Sequence, residues 1–133
     1  MEIVELYDKN NNAVYRRYPN GDEEYREYDE KNNEVYIKTI DENGYDEAWM
    51  EYDENNNMIW FKNSYGDEEW MVYDKHNRLI SMVDQDSHQD WYEYNDRGDC
   101  IHFKSSNGEE FWREFDDQGN LLNCREINYE AQQ

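Results

Sequence analysis

Glutamate recurs in this chain directly before an aromatic residue. Glu27, Glu51, Glu93 and Glu114 precede Tyr28, Tyr52, Tyr94 and Phe115. More acids gather at 22–24, 46–47, 67–69 and 109–110. Carboxylates in this number could do three kinds of chemistry. Two of them at the right separation could cleave a glycoside, but no pair stands out from the crowd. Alternating oxygens could hold calcium, as in the run Asp53-Glu54-Asn55-Asn56-Asn57. That run lacks the distal bidentate Glu of a calcium loop, and turn formation already accounts for its Asp and Asn. The third use is recognition of a cationic surface, and here the composition speaks. Asp plus Glu number 34 against 13 Lys plus Arg, a net charge of -21. Solubility in a small domain needs a net charge of only about 2 to 8. The excess costs self-repulsion in the folded state and attracts basic partners.

Other reactive types give little. His76, His88 and His102 sit in different repeats, two in turns and one in a strand. Cys100 and Cys124 match no metal-ligand spacing and read as free, buried thiols in a reducing compartment. The sequence holds no phosphate-cradling Gly loop, no H-E-x-x-H, no C-x-x-C and no G-x-S-x-G. We therefore expect no enzyme, no cofactor and no metal. The residues 1–5 have neither a basic nor an apolar signal segment, and no apolar run could span a bilayer. The expectation is a cytoplasmic protein that binds neither nucleic acid nor membrane.

The elements that position the acids are repeats. Aromatic–polar pairs occur at Tyr7-Asp8, Tyr28-Asp29, Tyr52-Asp53, Tyr73-Asp74, Tyr94-Asn95 and Phe115-Asp116, with gaps of 21, 24, 21, 21 and 21 residues. A fixed period marks a repeat architecture. Aromatic content of 17% separates the chain from a disordered acidic tail. With the aromatic residue as position zero, position +4 is Asn11, Asn32, Asn56, Asn77, Gly98 or Gly119. These are the two residue types that best tolerate left-handed backbone, as a three-residue hairpin loop closed by a bulge requires. A second turn carries Asn20-Gly21, Asn43-Gly44, Tyr65-Gly66, Asp86-Ser87 and Asn107-Gly108. The three extra residues near Asn43-Gly44 predict a bulged or longer loop. Between turns lie apolar-aromatic runs of strand length. The reading is all-β: one domain, 1–133, an antiparallel meander of tandem hairpins forming a curved sheet.

Side chains alternate faces along a strand. With a single bulge at +4, positions -3, -1, +7 and +9 share a face. That face holds the tryptophans at -3 (Trp49, Trp70, Trp91, Trp112) with Ile59, Ile80, Phe61 and Phe103. It predicts a core on the Trp side, with Trp70 and Phe61 buried together. It also puts Cys100 and Cys124 on opposite faces.

The motif itself resembles a known family. Tyr94-Asn95-Asp96-Arg97-Gly98-Asp99-Cys100-Ile101 and Phe115-Asp116-Asp117-Gln118-Gly119-Asn120-Leu121-Leu122, with Gly21, Gly66 and Gly108 at the distal glycine position, look like the YD repeat of RHS proteins and teneurins. The resemblance covers nearly the whole chain. It implies a continuous spiralling β-sheet. In large RHS proteins that sheet builds a shell, which 133 residues are too few to enclose. Short YD-repeat proteins also occur beside polymorphic toxins as immunity proteins, including those of contact-dependent growth inhibition. The expectation is thus a non-enzymatic immunity protein that neutralises a basic toxin, of the nuclease class, by covering its substrate surface with carboxylates. The acids expected to bind are Asp46, Glu47, Glu51, Glu68, Glu69 and Glu93. The alternative is a surface or adhesive YD-repeat module that binds glycan or calcium.

Overall fold

A computed structural model describes residues 2–128. The described residues form twelve strands and no helix. They are β1 (Val4–Tyr7), β2 (Ala13–Arg17), β3 (Glu23–Tyr28), β4 (Glu34–Asp41), β5 (Gly44–Tyr52), β6 (Met58–Asn63), β7 (Glu68–Tyr73), β8 (Leu79–Asp84), β9 (Gln89–Tyr94), β10 (Cys100–Ser105), β11 (Glu110–Phe115) and β12 (Leu121–Ile127). Strand order follows chain order in one antiparallel meander. The chain divides into two compact units, Met1–Glu69 and Trp70–Gln133.

In both units the first turn of each repeat has the expected chemistry. Asn11, Asn32, Asn56 and Asn77 have φ between 65° and 69°, and Gly98 and Gly119 are also left-handed. The Asp at +1 explains the other half of the motif. Asp53 accepts the backbone N–H groups of Asn55 and Asn57 on Oδ1, at 2.9 Å each, and the Asn57 amide on Oδ2 at 3.2 Å. Where the motif reads Asn95, donor and acceptor exchange ends: Asn95 Nδ2 donates to Asp99 Oδ2 at 3.2 Å. The zero-position tyrosine stitches one repeat to the previous one. Its hydroxyl donates to a main-chain carbonyl at +6 of that repeat: Tyr28 to Ala13 at 3.0 Å, Tyr52 to Glu34 at 2.9 Å, Tyr94 to Leu79 at 2.6 Å. The three extra residues near Asn43-Gly44 do not lengthen a loop. They extend β4 and β5, which pair out to Asp41 opposite Gly44 and leave Glu42 and Asn43 as the turn.

The expected register is wrong by one residue, and the cause is a second bulge. Tyr52 lies opposite Met58, but Glu51 lies opposite Trp60, so Ile59 is the extra residue. The same shift follows Glu27/Tyr28, Cys100/His102 and Glu114/Phe115. A one-residue slip exchanges the faces of everything beyond it. Position -2 therefore faces +9: Met50 opposite Phe61, and Tyr92 opposite Phe103. The tryptophans at -3 face +8 and +10 instead: Trp49 opposite Tyr36 and Lys62, Trp91 opposite Ser81 and Lys104. The apolar side is the Met50–Phe61 side, and Met50 is 9% exposed. Trp70 is 44% exposed rather than buried beside Phe61. No described side chain is fully buried. Cross-strand neighbours, rather than a second layer, supply the packing in each unit. Both cysteines are free, but Cys124 is exposed and Cys100 half-buried, so the buried-thiol expectation fails for Cys124.

Candidate functional site

The tryptophan face is built from five parallel lines of side chains, each set by repeat position. In Met1–Glu69 the aromatic lines bring Tyr15 to Tyr25, with ring centroids 4.9 Å apart, and Tyr36 to Trp49 at 5.9 Å. In Trp70–Gln133 His102 stacks on Trp112 at 5.2 Å. Beside them runs a line at -5. Each residue there bonds the +8 residue of the preceding strand. Tyr15 donates to Glu23 at 2.7 Å, Tyr36 to Glu47 at 2.6 Å, and Trp60 Nε1 to Glu68 at 2.8 Å. In the second unit His102 Nε2 meets Glu110 at 2.7 Å. The remaining rung reverses direction, with Gln89 Nε2 donating to Ser81 Oγ at 3.0 Å. Charge-assisted bonds of this kind favour the protonated phenol. Hydrogen bonding to the Glu47 carboxylate, with desolvation, pushes Tyr36 up to about 12. Bonds from Tyr15 and Tyr25 hold the Glu23 carboxyl below its usual range.

The -1 line is different. Glu27 and Glu51 in the first unit, and Glu93 and Glu114 in the second, are exposed. A cation line at +10 balances part of this charge: Lys38 faces Tyr25, Lys62 faces Trp49, and the Arg125 guanidinium lies 5.2 Å from the Trp112 ring. The face thus offers flat aromatic rings between tethered carboxylates at -5 and exposed ones at -1.

The six acids expected to bind fall into three groups. Glu47 and Glu68 are tethered on the tryptophan face by their aromatic donors. Glu51 and Glu93 are exposed on the same face, and Glu93 Oε1 lies 3.4 Å from His102 Nδ1. Asp46 and Glu69 alternate to the apolar side of β5 and β7. The rung ladder was missed by sequence reasoning, although the sequence carries a signal for it. In the copy where +8 is Ser81 rather than an aromatic or His, the matching -5 residue is Gln89 rather than Glu.

Three further sites have local explanations. The calcium-like oxygens of Asp53 are taken by its own turn, and the described residues contain no group of three His, Cys, Asp or Glu side chains that could hold a metal. His76 lies in a turn. His88 has the residue types of a hydrolytic site around it: Nε2 is 3.1 Å from Ser105 Oγ and 3.2 Å from Asp90 Oδ1, and Nδ1 is 3.2 Å from Ser106 Oγ. Ser105 is 3% exposed, out of reach of a substrate, and Ser106 Oγ already accepts the Gln89 N–H at 2.9 Å. The cluster pins two neighbouring hairpins.

No protein-family model matches the chain, and no curated protein matches it. Solved structures do. The complex TcdB2-TccC3-Cdc42 aligns with a TM-score of 0.78 at 13% identity, over 92% of this chain and 7% of that one. TcdB2-TccC3 without its hypervariable C-terminal region aligns with a TM-score of 0.75 at 9% identity, over 94% of this chain and 8% of that one. The Photorhabdus luminescens Tc holotoxin pore carrying TccC3-D651A aligns with a TM-score of 0.71 at 15% identity, over 92% of this chain and 8% of that one. The chain spans less than a tenth of the length of these structures. At such identity the likeness is one of fold. This chain is an antiparallel hairpin meander whose fold is similar to that of segments of the TcdB2-TccC3 structures.

Proposed function

We propose that the chain is a non-enzymatic binding protein that recognises a basic protein through its tryptophan face, in the manner of an immunity protein that neutralises a nuclease toxin. One observation carries the reading. Exposed glutamates at -1 and tethered glutamates at -5 bracket a line of aromatic rings on one side of each unit. Aromatic rings supply rigid contact area at low entropic cost. Flanking carboxylates steer a cationic surface onto them, and the net charge of -21 extends that steering beyond the contact. A nuclease must hold phosphates on basic residues, so a carboxylate-lined sheet competes for the same patch. The tethered acids are held in place before binding, which lowers the ordering cost.

The test uses the purified chain as bait in extracts of its own source. A basic protein whose nuclease activity falls as the chain is titrated in supports the reading. Recovery of polysaccharide alone supports the adhesive alternative, since exposed tryptophan rings also stack on sugars.

A further inference from the structure

One copy of the repeat departs from the charge pattern at -1, +10 and -5 together, and every changed residue lies on the tryptophan face. At -1, where four copies carry Glu27, Glu51, Glu93 and Glu114 and the first carries Leu6, stands Val72. At +10, where others carry Arg17, Lys38, Lys62, Lys104 and Arg125, stands Val83. At +8 stands Ser81, and at -5 Gln89 replaces glutamate. All four lie in Trp70–Gln133. The strand pairing brings them together: Ser81 lies opposite Trp91 and Val83 opposite Gln89 across β8 and β9, while Val72 and Trp70 lie on the adjoining strand β7. Trp70 is 44% exposed, Val72 53% and Trp91 38%. Where every other copy carries a cation at +10 and a glutamate at -5, this one carries no charge, and Trp70, Val72 and Trp91 stand open beside the half-buried Val83.

Folding alone does not call for this. At -1 four other copies tolerate Glu on the same exposed line, and an exposed Val72 beside a half-buried Val83 adds nothing to solubility. A desolvated apolar centre with a charged surround is instead the anatomy of a binding hot spot. The surround here is Glu93 at -1 and Glu110 at -5, both on this face of the same unit. A second copy of the chain would bring another -21 against the first, so self-association through this patch is opposed by charge.

We infer that Trp70, Val72, Ser81, Val83, Gln89 and Trp91 form the central contact of the binding face, and that its occupant is a protein surface with an apolar centre rimmed by Lys and Arg. This deepens the proposed function and rests on it. The partner's apolar group would lie on Val72 and Val83 between the two indole rings, and its cations would meet Glu93 and the acids beyond.

The test restores the repeat's own residues. Val72→Glu with Val83→Lys installs side chains that other copies carry at the same backbone positions, so the fold is kept. The probe is the basic protein recovered with the wild-type chain from its source, identified and repurified, and binding is measured by surface plasmon resonance. We expect a loss of roughly thirty-fold or more, in the range of a hot-spot substitution. The loss should fall in the dissociation rate, with the salt dependence of association unchanged and the melting temperature lowered by no more than about 5 °C. Unchanged affinity with intact, salt-steered association would overturn the patch while leaving the proposed function standing. Failure to recover a basic protein would overturn both. Salt-promoted dimers of the wild type that the double variant abolishes would assign the patch to a second copy, and retention on oligosaccharide that the variant abolishes would assign it to a glycan. Either result refutes the inference.

Discussion

Inserting the same charge on opposite faces of the sheet tests the register, and the choice of Met50→Glu and Val72→Glu makes the two outcomes far apart. Met50 is 9% exposed, opposite Phe61 on the apolar side. Removing a buried methionine costs about 2 kcal/mol at the low end of the usual range, and the low end applies because no second layer closes over it. A carboxylate left there without a partner adds about 2 kcal/mol more. The sum, about 4 kcal/mol, is a large share of the roughly 5 to 15 kcal/mol that holds an ordinary domain. Val72 is 53% exposed on a line where other copies already carry Glu. Its replacement loses a fraction of a valine's burial and regains part of it along the glutamate stem. The expected cost is about 0.5 kcal/mol, within the range of surface changes. Urea unfolding followed by tryptophan fluorescence reads both. With a single bulge at +4, Val72 would be core and Met50 exposed. A Val72→Glu cost equal to or above that of Met50→Glu would therefore refute the second bulge and with it the face assignment.

Three other outcomes follow from the local geometry. Ser87 sits at φ 64° where the matching turns carry Gly21, Gly66 and Gly108. Ser87→Gly should stabilise by roughly 0.5 to 1 kcal/mol, the left-handed penalty less the entropy of glycine, and a drop in melting temperature would contradict the turn assignment. The carboxyls of Asp8, Asp29, Asp53, Asp74 and Asp116 are all lowered, most by the backbone N–H of the residue at +5, or by its side chain in Asp116. Because their folded pKa lies below the unfolded one, their stabilisation is full above the ordinary aspartate range. It is lost as pH falls through the folded values, below about pH 4. Replacing all five by Asn, which already serves at Asn95, should flatten the acid limb of a circular dichroism titration; an identical limb would show that the turns do not set it. Tyr36 should ionise at about 12 in an ultraviolet titration. Its raised value means that stabilisation is complete below the unfolded pKa near 10 and disappears as pH rises through 12, and Glu47→Gln should move the titration back down.

The turns were the legible part of this fold. Asp at +1 and Asn or Gly at +4 are local requirements, met within five residues, so spacing alone places them. The register was not legible, because the bulge at Ile59 carries no residue signature. A β-branched aliphatic at +7 reads equally well as a core residue or as the extra residue of a bulge. That one residue reversed the faces, and the tryptophans read as core became the exposed aromatic line. The acids at -1 and -5 were visible as repeats, but their division into exposed and tethered groups depends on which aromatic lies across the strand, as Tyr36 does for Glu47. The neutral patch at Val72 and Val83 was present in the sequence. It became readable only when the register placed those two valines on one face with Trp70 and Trp91.

The central claim is that the exposed -1 glutamates steer a basic partner onto the tryptophan face. Stopped-flow association with that partner, across a range of salt concentrations, tests it most directly in the variant Glu27→Lys, Glu51→Lys, Glu93→Lys and Glu114→Lys. The account predicts slower association at low salt and a much shallower dependence on ionic strength, with rates converging on the wild type at high salt as screening removes the steering. An association rate and salt slope equal to the wild type would contradict it, and would leave these carboxylates as nothing more than a soluble edge.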